Sequence, residues 1–317
     1  WIKSNYSQAN RDRFDSIWSQ IAVRFQNKSE RLLFEIINEP NGLTKAQNDD
    51  LHQRAIQLIR KTNPTRILIF QGHNWGGSDE LIQAAIPDDP YLMGSFHSYD
   101  PYLFGLEGQG TWGTASDYNA MKAKFDAVKA WSNKNNIPVF LGEFGALRRC
   151  DYNSRMRHYK AYVDYSLLNG FAAAAWDDGG DFKIMLRAEK DWDEVKDILI
   201  YAGPTSPTSL KVVVHQDSIV KVNWTNKLTD TDFIWVQRRT TTGKYATIAK
   251  LAPTATEYLD VKPAMNLGYH YRIIAVYNDP EKKPVHSHPV SVFFPKWVAP
   301  QRTSFLGAPF AIPGTFE

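Results

Sequence analysis

The sequence predicts two architectures in one chain, an α/β part with a parallel sheet followed by an all-β sandwich. Two observations carry this. Up to about residue 203, short apolar runs without polar alternation recur between amphipathic helical stretches, as strands covered on both faces do. Beyond it, seven short β-rich runs in about 90 residues are separated by turn residues, the spacing of a sandwich.

The strands of the first part are read at residues 32–37, 66–71, 91–96, 138–143 and 170–176, each bounded by Gly, Pro or Asn. Residues 13–25 carry Phe14, Ile17, Trp18, Ile21, Ala22 and Phe25 at helical spacing, which makes one apolar stripe. Residues 51–61, 117–134 and 155–169 follow suit, and a last helix falls near 192–201. Five strand–helix units in unbroken alternation imply a parallel sheet. Residues 202–209 hold two prolines among small polar residues and read as a linker. The β-rich runs are 209–214, 219–225, 233–240, 246–249, 257–260, 268–277 and 290–293. Residues 295–317 are rich in Pro, Gly and Phe and too short to own a core.

Composition narrows the function classes. A net charge of +3 over 317 residues offers no electrostatic basis for nucleic acid or an anionic membrane surface. No apolar run reaches the ~18 residues of a membrane helix. The single cysteine, Cys150, excludes an internal disulfide framework and a multi-thiolate metal site. No cofactor and no metal are expected. Asp177, Asp178 and Asp181 follow Trp176 among glycines and read as solvated or substrate-facing loop acids.

Three strand ends hold chemistry. Asn38-Glu39-Pro40 ends one strand, Phe96-His97-Ser98-Tyr99 another, and Gly142-Glu143-Phe144-Gly145 a third. In parallel α/β folds these ends face the functional site. A carboxylate at the end of an apolar strand is costly to desolvate without partners, so two of them point to acid/base chemistry. The glycines around Glu143 permit close backbone approach, and Pro40 fixes the chain past Glu39. Trp75 lies after the second strand, and Trp112 lies in the long Gly-rich stretch 100–113, where an exposed aromatic face could stack on a ligand. Trp18 and Trp131 sit on helical patterns and read as core.

Asn-Glu-Pro, His-x-Tyr, Gly-Glu-Phe-Gly and the strand-ending Trp176, in this order over residues 1–203, resemble glycoside hydrolase family 5. The resemblance implies strands 4–8 of a TIM (β/α)8 barrel, and hence a partial barrel. It implies Glu39 as acid/base, Glu143 as nucleophile and Asn38 as the partner of the sugar 2-hydroxyl. It implies that His97 and Tyr99 orient the carboxylates, with Tyr99 near Glu143. Trp176 would floor the cleavage subsite, and Trp75 would line the cleft. The implied activity is retaining endo-hydrolysis of β-1,4-glucan by a secreted monomer. A β-mannanase or a xyloglucanase of the same mechanism, and a non-catalytic carbohydrate-binding or spacer fragment, are the alternatives.

Residues 204–294 resemble an immunoglobulin-like fibronectin type III module, through Val220-Lys221-Val222-Asn223-Trp224 and Gly268-Tyr269-His270-Tyr271-Arg272-Ile273. Residues 309–317 resemble the start of a carbohydrate-binding module. The resemblance places Trp1 just after strand 3, so the chain is expected to be a fragment. On its own it is expected to be poorly soluble and inactive, because an open sheet exposes its edges.

Overall fold

A computed structural model describes residues 1–215, 219–261 and 263–295. The expected module start at 309–317, and all of 295–317 except Pro295, lie outside the described residues. In chain order the first part runs α1 (Gln8–Phe25), β1 (Phe34–Glu35), α2 (Lys45–Ile59), β2 (Leu68–Gln71), α3 (Ser78–Gln83) and β3 (Leu92–Ser98). It continues through α4 (Tyr102–Gly105), α5 (Ala115–Asn135), β4 (Val139–Phe144), α6 (Tyr152–Asn169) and β5 (Ala172–Ala175). A small hairpin, β6 (Met185–Leu186) and β7 (Asp191–Trp192), precedes α7 (Val195–Tyr201).

Strands β1 to β5 pair in sequence order and in parallel, so their C-terminal ends line up along one rim of the sheet. Among the described residues β1 and β5 each have one strand partner, which leaves the sheet open at both sides. The sequence placed all five strands and the long helices. It did not show α3, α4 or the β6–β7 hairpin, which are too short to display a period.

Helix boundaries follow local chemistry. The side chains of Ser7, Thr44, Thr114 and Asp151 each accept from a backbone N–H of the first turn. Thr44 with Gln47 and Thr114 with Asp117 form capping boxes. Such a cap contributes about 1 kcal/mol. Helices α5 and α6 end on left-handed Asn136 and Gly170. The buried guanidinium of Arg66 donates to the carbonyls of Phe25, Lys28, Ser29 and Leu32, which satisfies the chain end of α1 and the turn after it.

The core lies between sheet and helices. Trp18 packs on Phe34, with ring centroids 5.9 Å apart, and donates its indole N–H to the Ile36 carbonyl at 3.2 Å. Phe125 of α5 sits among Phe96, Phe171 and Tyr162. Each such ring removes a large apolar area from water, which fixes the helices on the sheet.

The second part comprises β8 (Thr208–His215), β9 (Ile219–Thr225), β10 (Phe233–Thr240), β11 (Ala246–Leu251), β12 (Glu257–Asp260), β13 (Leu267–Val276), β14 (Val285–His286) and β15 (Val290–Phe294). They form two antiparallel sheets, β12-β9-β8 and β11-β10-β13-β14, with β15 also on β13. Val220, Val222, Trp224, Ile234, Tyr271 and Ile273 share one core between them.

The two parts are joined by a buried polar contact rather than a free tether. The Glu194 carboxylate, before α7, accepts from Arg239 at 2.7 Å and from His270 at 2.8 Å, and from the hydroxyls of Tyr152 and Tyr245. Asn153 of α6 exchanges two hydrogen bonds with the Ser291 backbone. The segment expected to be a linker is itself docked. Ser206 is buried and accepts from the Gly203 N–H, while the Lys160 ammonium donates to the Gly203 carbonyl.

Burial works to raise the Glu194 pKa, but the His270 and Arg239 donors outweigh it and hold it at about 2, against an ordinary 4.5. The folded value lies below the unfolded one. The stabilisation is therefore complete above pH 4.5 and is lost as pH falls through about 2. Glu194→Gln should cost on the order of 3 kcal/mol at pH 7. In denaturant melts the gap from the parent protein should narrow between pH 4.5 and 2; an equal gap at both ends would contradict the coupling.

Candidate active site

The rim formed by the strand ends carries a cleft of about 560 Å³, lined by Glu39, Trp75, His97, Tyr99, Glu143 and Trp176, among others. Glu39 follows β1 and adopts a left-handed backbone, with φ 44°. A side-chain-bearing residue there is strained by about 1–3 kcal/mol, and Pro40 restricts the next step of the chain. His97 lies on β3 in direct register with Glu143 on β4, and the ladder shifts between Phe96 and His97. That irregularity re-aims the side chains at the strand end.

His97 is buried and sits between the two carboxylates. Its Nδ1 lies 2.8 Å from Glu39 Oε1 and 3.6 Å from Glu143 Oε2. One oxygen of each carboxylate and a His97 ring nitrogen all lie within 4.8 Å of one another. The Tyr99 hydroxyl donates to Glu143 Oε2 at 2.5 Å. Burial, together with the hydrogen bond to Glu143, pushes the Tyr99 pKa far up, so the phenol stays a donor.

Trp75 is 56% exposed and Trp176 is 40% exposed, and both line the cleft. Asn74, Trp75 and Gly76 are successive left-handed residues, a strained turn that presents the Trp75 indole at the rim. Trp176 continues the strand ladder through its N–H to the Phe144 carbonyl at 3.0 Å. Asn38 is exposed and borders a neighbouring hollow with Trp1, Pro40 and Trp75 rather than the cleft itself.

Trp112 is a correction. It is 2% exposed and packs edge-on against Tyr118 and His158, at 4.6 and 5.3 Å between ring centroids. The segment 100–113 turns inward through α4, and Arg157 donates to the Trp112 carbonyl. No ring face is left for a sugar. The acids after Trp176 shape their loop. Asp177 accepts from the Gly179 and Met185 N–H groups and from Arg187, Asp178 from the Gly180 and Phe182 N–H groups, and Asp181 pairs with Arg149. Burial acts to raise the Asp177 pKa, but these donors bring it to about 2.

Two residues at the site were not singled out in the sequence, Glu35 and Gln71. Gln71 ends β2 and is fully buried, and its amide bridges Glu35, His97 and the Glu39 backbone. The available signal was a polar residue inside each of two apolar strand runs. The Glu35 pKa is raised, by burial first and by the Glu143 charge, against the pull of His97 and Gln71.

Gly142 explains the glycine before Glu143. A Cβ there would lie 2.7 Å from His97 Nε2 and 2.8 Å from Ser95 Oγ. Gly142→Ala should therefore displace His97, at a cost of about 1–3 kcal/mol in a packed site. A melting temperature equal to that of the parent protein would contradict this.

The profile of Cellulase (glycosyl hydrolase family 5) matches residues 1–181, more than half the chain. Endoglucanase H of Acetivibrio thermocellus is 51% identical over 180 residues, which are 56% of this chain and 20% of that protein. The chain thus spans about a fifth of that relative's length. A solved hyperthermophilic endo-β-1,4-glucanase in complex with substrate is 32% identical, with a TM-score of 0.57 over 60% of this chain and 66% of that one. A tri-modular family 5, subfamily 4 endo-β-1,4-glucanase from Bacillus licheniformis, 24% identical, aligns with 92% of this chain and 60% of its own at a TM-score of 0.69, a likeness of fold. With the family profile spanning all three strand-end motifs, this chain belongs to the cellulase family, glycosyl hydrolase family 5.

Proposed function

We propose that Glu39 and Glu143 are the acid/base and the nucleophile of a retaining endo-β-1,4-glucan hydrolase. The observation that carries this reading is the closeness of the two carboxylates, with one oxygen of each within 4.8 Å. Retaining glycosidases hold their carboxyl groups about 5–5.5 Å apart, whereas inverting ones leave about 6.5–9.5 Å for a water. The glucan substrate is supported by the endoglucanase relative and by the endo-β-1,4-glucanase structure with substrate.

In this reading Glu143, ionised and oriented by the Tyr99 hydroxyl, attacks the anomeric carbon. Glu39 gives its proton to the departing glycosidic oxygen, and a glycosyl ester forms on Glu143. A water then loses its proton to Glu39 and releases the sugar with its configuration retained. Trp176 supplies a stacking floor beside the pair and Trp75 a second aromatic face.

The open edges of β1 and β5 support a wider assembly. We read the five strands, within residues 1–203, as part of a (β/α)8 barrel. Residues 204–294 are read as a fibronectin type III-like module docked on α6 and α7, and the enzyme as secreted. Among the described residues no helix is long and apolar enough to cross a membrane.

The test uses a polypeptide in which the sheet is closed, assayed on carboxymethyl cellulose, mannan and xyloglucan. Glucan hydrolysis is expected to dominate. Glu39→Ala should lower kcat by about 10²–10⁴-fold. Glu143→Gln should lower it further, because no glycosyl ester can form. Turnover within tenfold of the parent for either variant would sink the assignment.

A further inference from the structure

The amide of Gln71 decides where the His97 ring carries its proton. Gln71 Oε1 lies 2.9 Å from the backbone nitrogen of Glu39. A backbone N–H only donates, so the atom facing it must be the amide oxygen. The amide nitrogen then faces the other way, 2.8 Å from Glu35 Oε1 and 2.9 Å from His97 Nε2. One of its hydrogens goes to the Glu35 carboxylate and the other to His97 Nε2. A ring nitrogen that accepts a hydrogen bond carries no proton of its own.

Turning the amide over would set its oxygen against the Glu35 carboxylate and its N–H against that of Glu39. Both neighbours therefore select the same orientation. The fit leaves little room to move. Gly76 is left-handed, and a Cβ on it would lie 2.6 Å from Gln71 Oε1; a Cβ on Gly142 would lie 2.7 Å from His97 Nε2.

We propose that Glu35 and Gln71 are positioning residues that keep His97 as the neutral Nδ1–H tautomer, so that the ring donates to Glu39 without becoming an imidazolium. Acidic groups face the ring from two strands, Glu35 and Glu39 at the end of β1 and Glu143 on β4. The amide N–H at Nε2 opposes an imidazolium, in which a donor would meet a donor. The consequence bears on the catalytic reading above, on which its significance rests. A neutral ring donating to Oε1 leaves Oε2 to carry the proton that Glu39 gives up.

The test is a long-range ¹H–¹⁵N spectrum of a polypeptide that contains this chain with its sheet closed, labelled at its histidine rings, with the His97 signals identified by their loss in His97→Gln. At neutral pH the expected state is Nδ1 protonated and Nε2 bare. In Gln71→Met the donor is gone, and the fraction of rings protonated at Nε2 should rise by about tenfold or more. Parent protein with a proton on Nε2, in the neutral or the charged ring, would overturn the proposal even if Gln71→Met did not fold. An unchanged ring in a folded Gln71→Met protein would overturn it too. The spectrum is read without substrate, so it stands or falls separately from the catalytic roles of Glu39 and Glu143.

Discussion

The His97 ring between Glu39 and Glu143 is the contact on which the rest of the site depends. Two carboxylates this close repel one another, and neither can be held in place by apolar packing alone. His97 offers one N–H to the pair, and Tyr99 offers a hydroxyl to Glu143. Each of these donors needs its own support. Gln71 holds the far side of the ring, and Gly142 leaves the space the ring occupies. The strained backbone of Glu39 is fastened by the same Gln71 side chain, whose oxygen accepts from the Glu39 N–H.

The parallel sheet is what brings these groups together. Glu39, Gln71, His97 and Glu143 come from four adjacent strand ends, and the in-order pairing of β1 to β4 places them side by side on one rim. Precision at the rim is inherited from the core beneath it, where Phe96, Phe125 and Phe171 lock β3 against α5. The second part of the chain extends this rigidity from behind. Its Arg239 and His270 close on Glu194, next to the helices that back β4 and β5.

Much of this was legible in the sequence, for physical reasons that also mark the limit. Glu39, His97, Tyr99 and Glu143 stood out because each ends an apolar run where a polar group needs an explanation. Glu35 and Gln71 stood inside or at the end of similar runs but lacked a motif, and only the register across β1, β2 and β3 shows that they meet. Trp112 misled because glycines around it suggested an exposed loop; tertiary packing against His158 and Tyr118 overrode that local signal. The segment 202–209 has a linker's composition, yet Ser206 and Gly203 are docked through Lys160, a contact made from a distant helix. Short elements such as α3 and β6 carry too few residues to show any period.

The stereochemistry of the first product tests the central claim most directly. The claim is that carboxylates within 4.8 Å work by double displacement. A hydrolysing polypeptide containing this chain would be given a β-1,4-linked oligosaccharide, and the anomeric protons of the new reducing end followed by NMR before mutarotation. The account predicts that the β-anomer appears first. Initial release of the α-anomer would contradict it, because inversion goes with carboxyl groups about 6.5–9.5 Å apart.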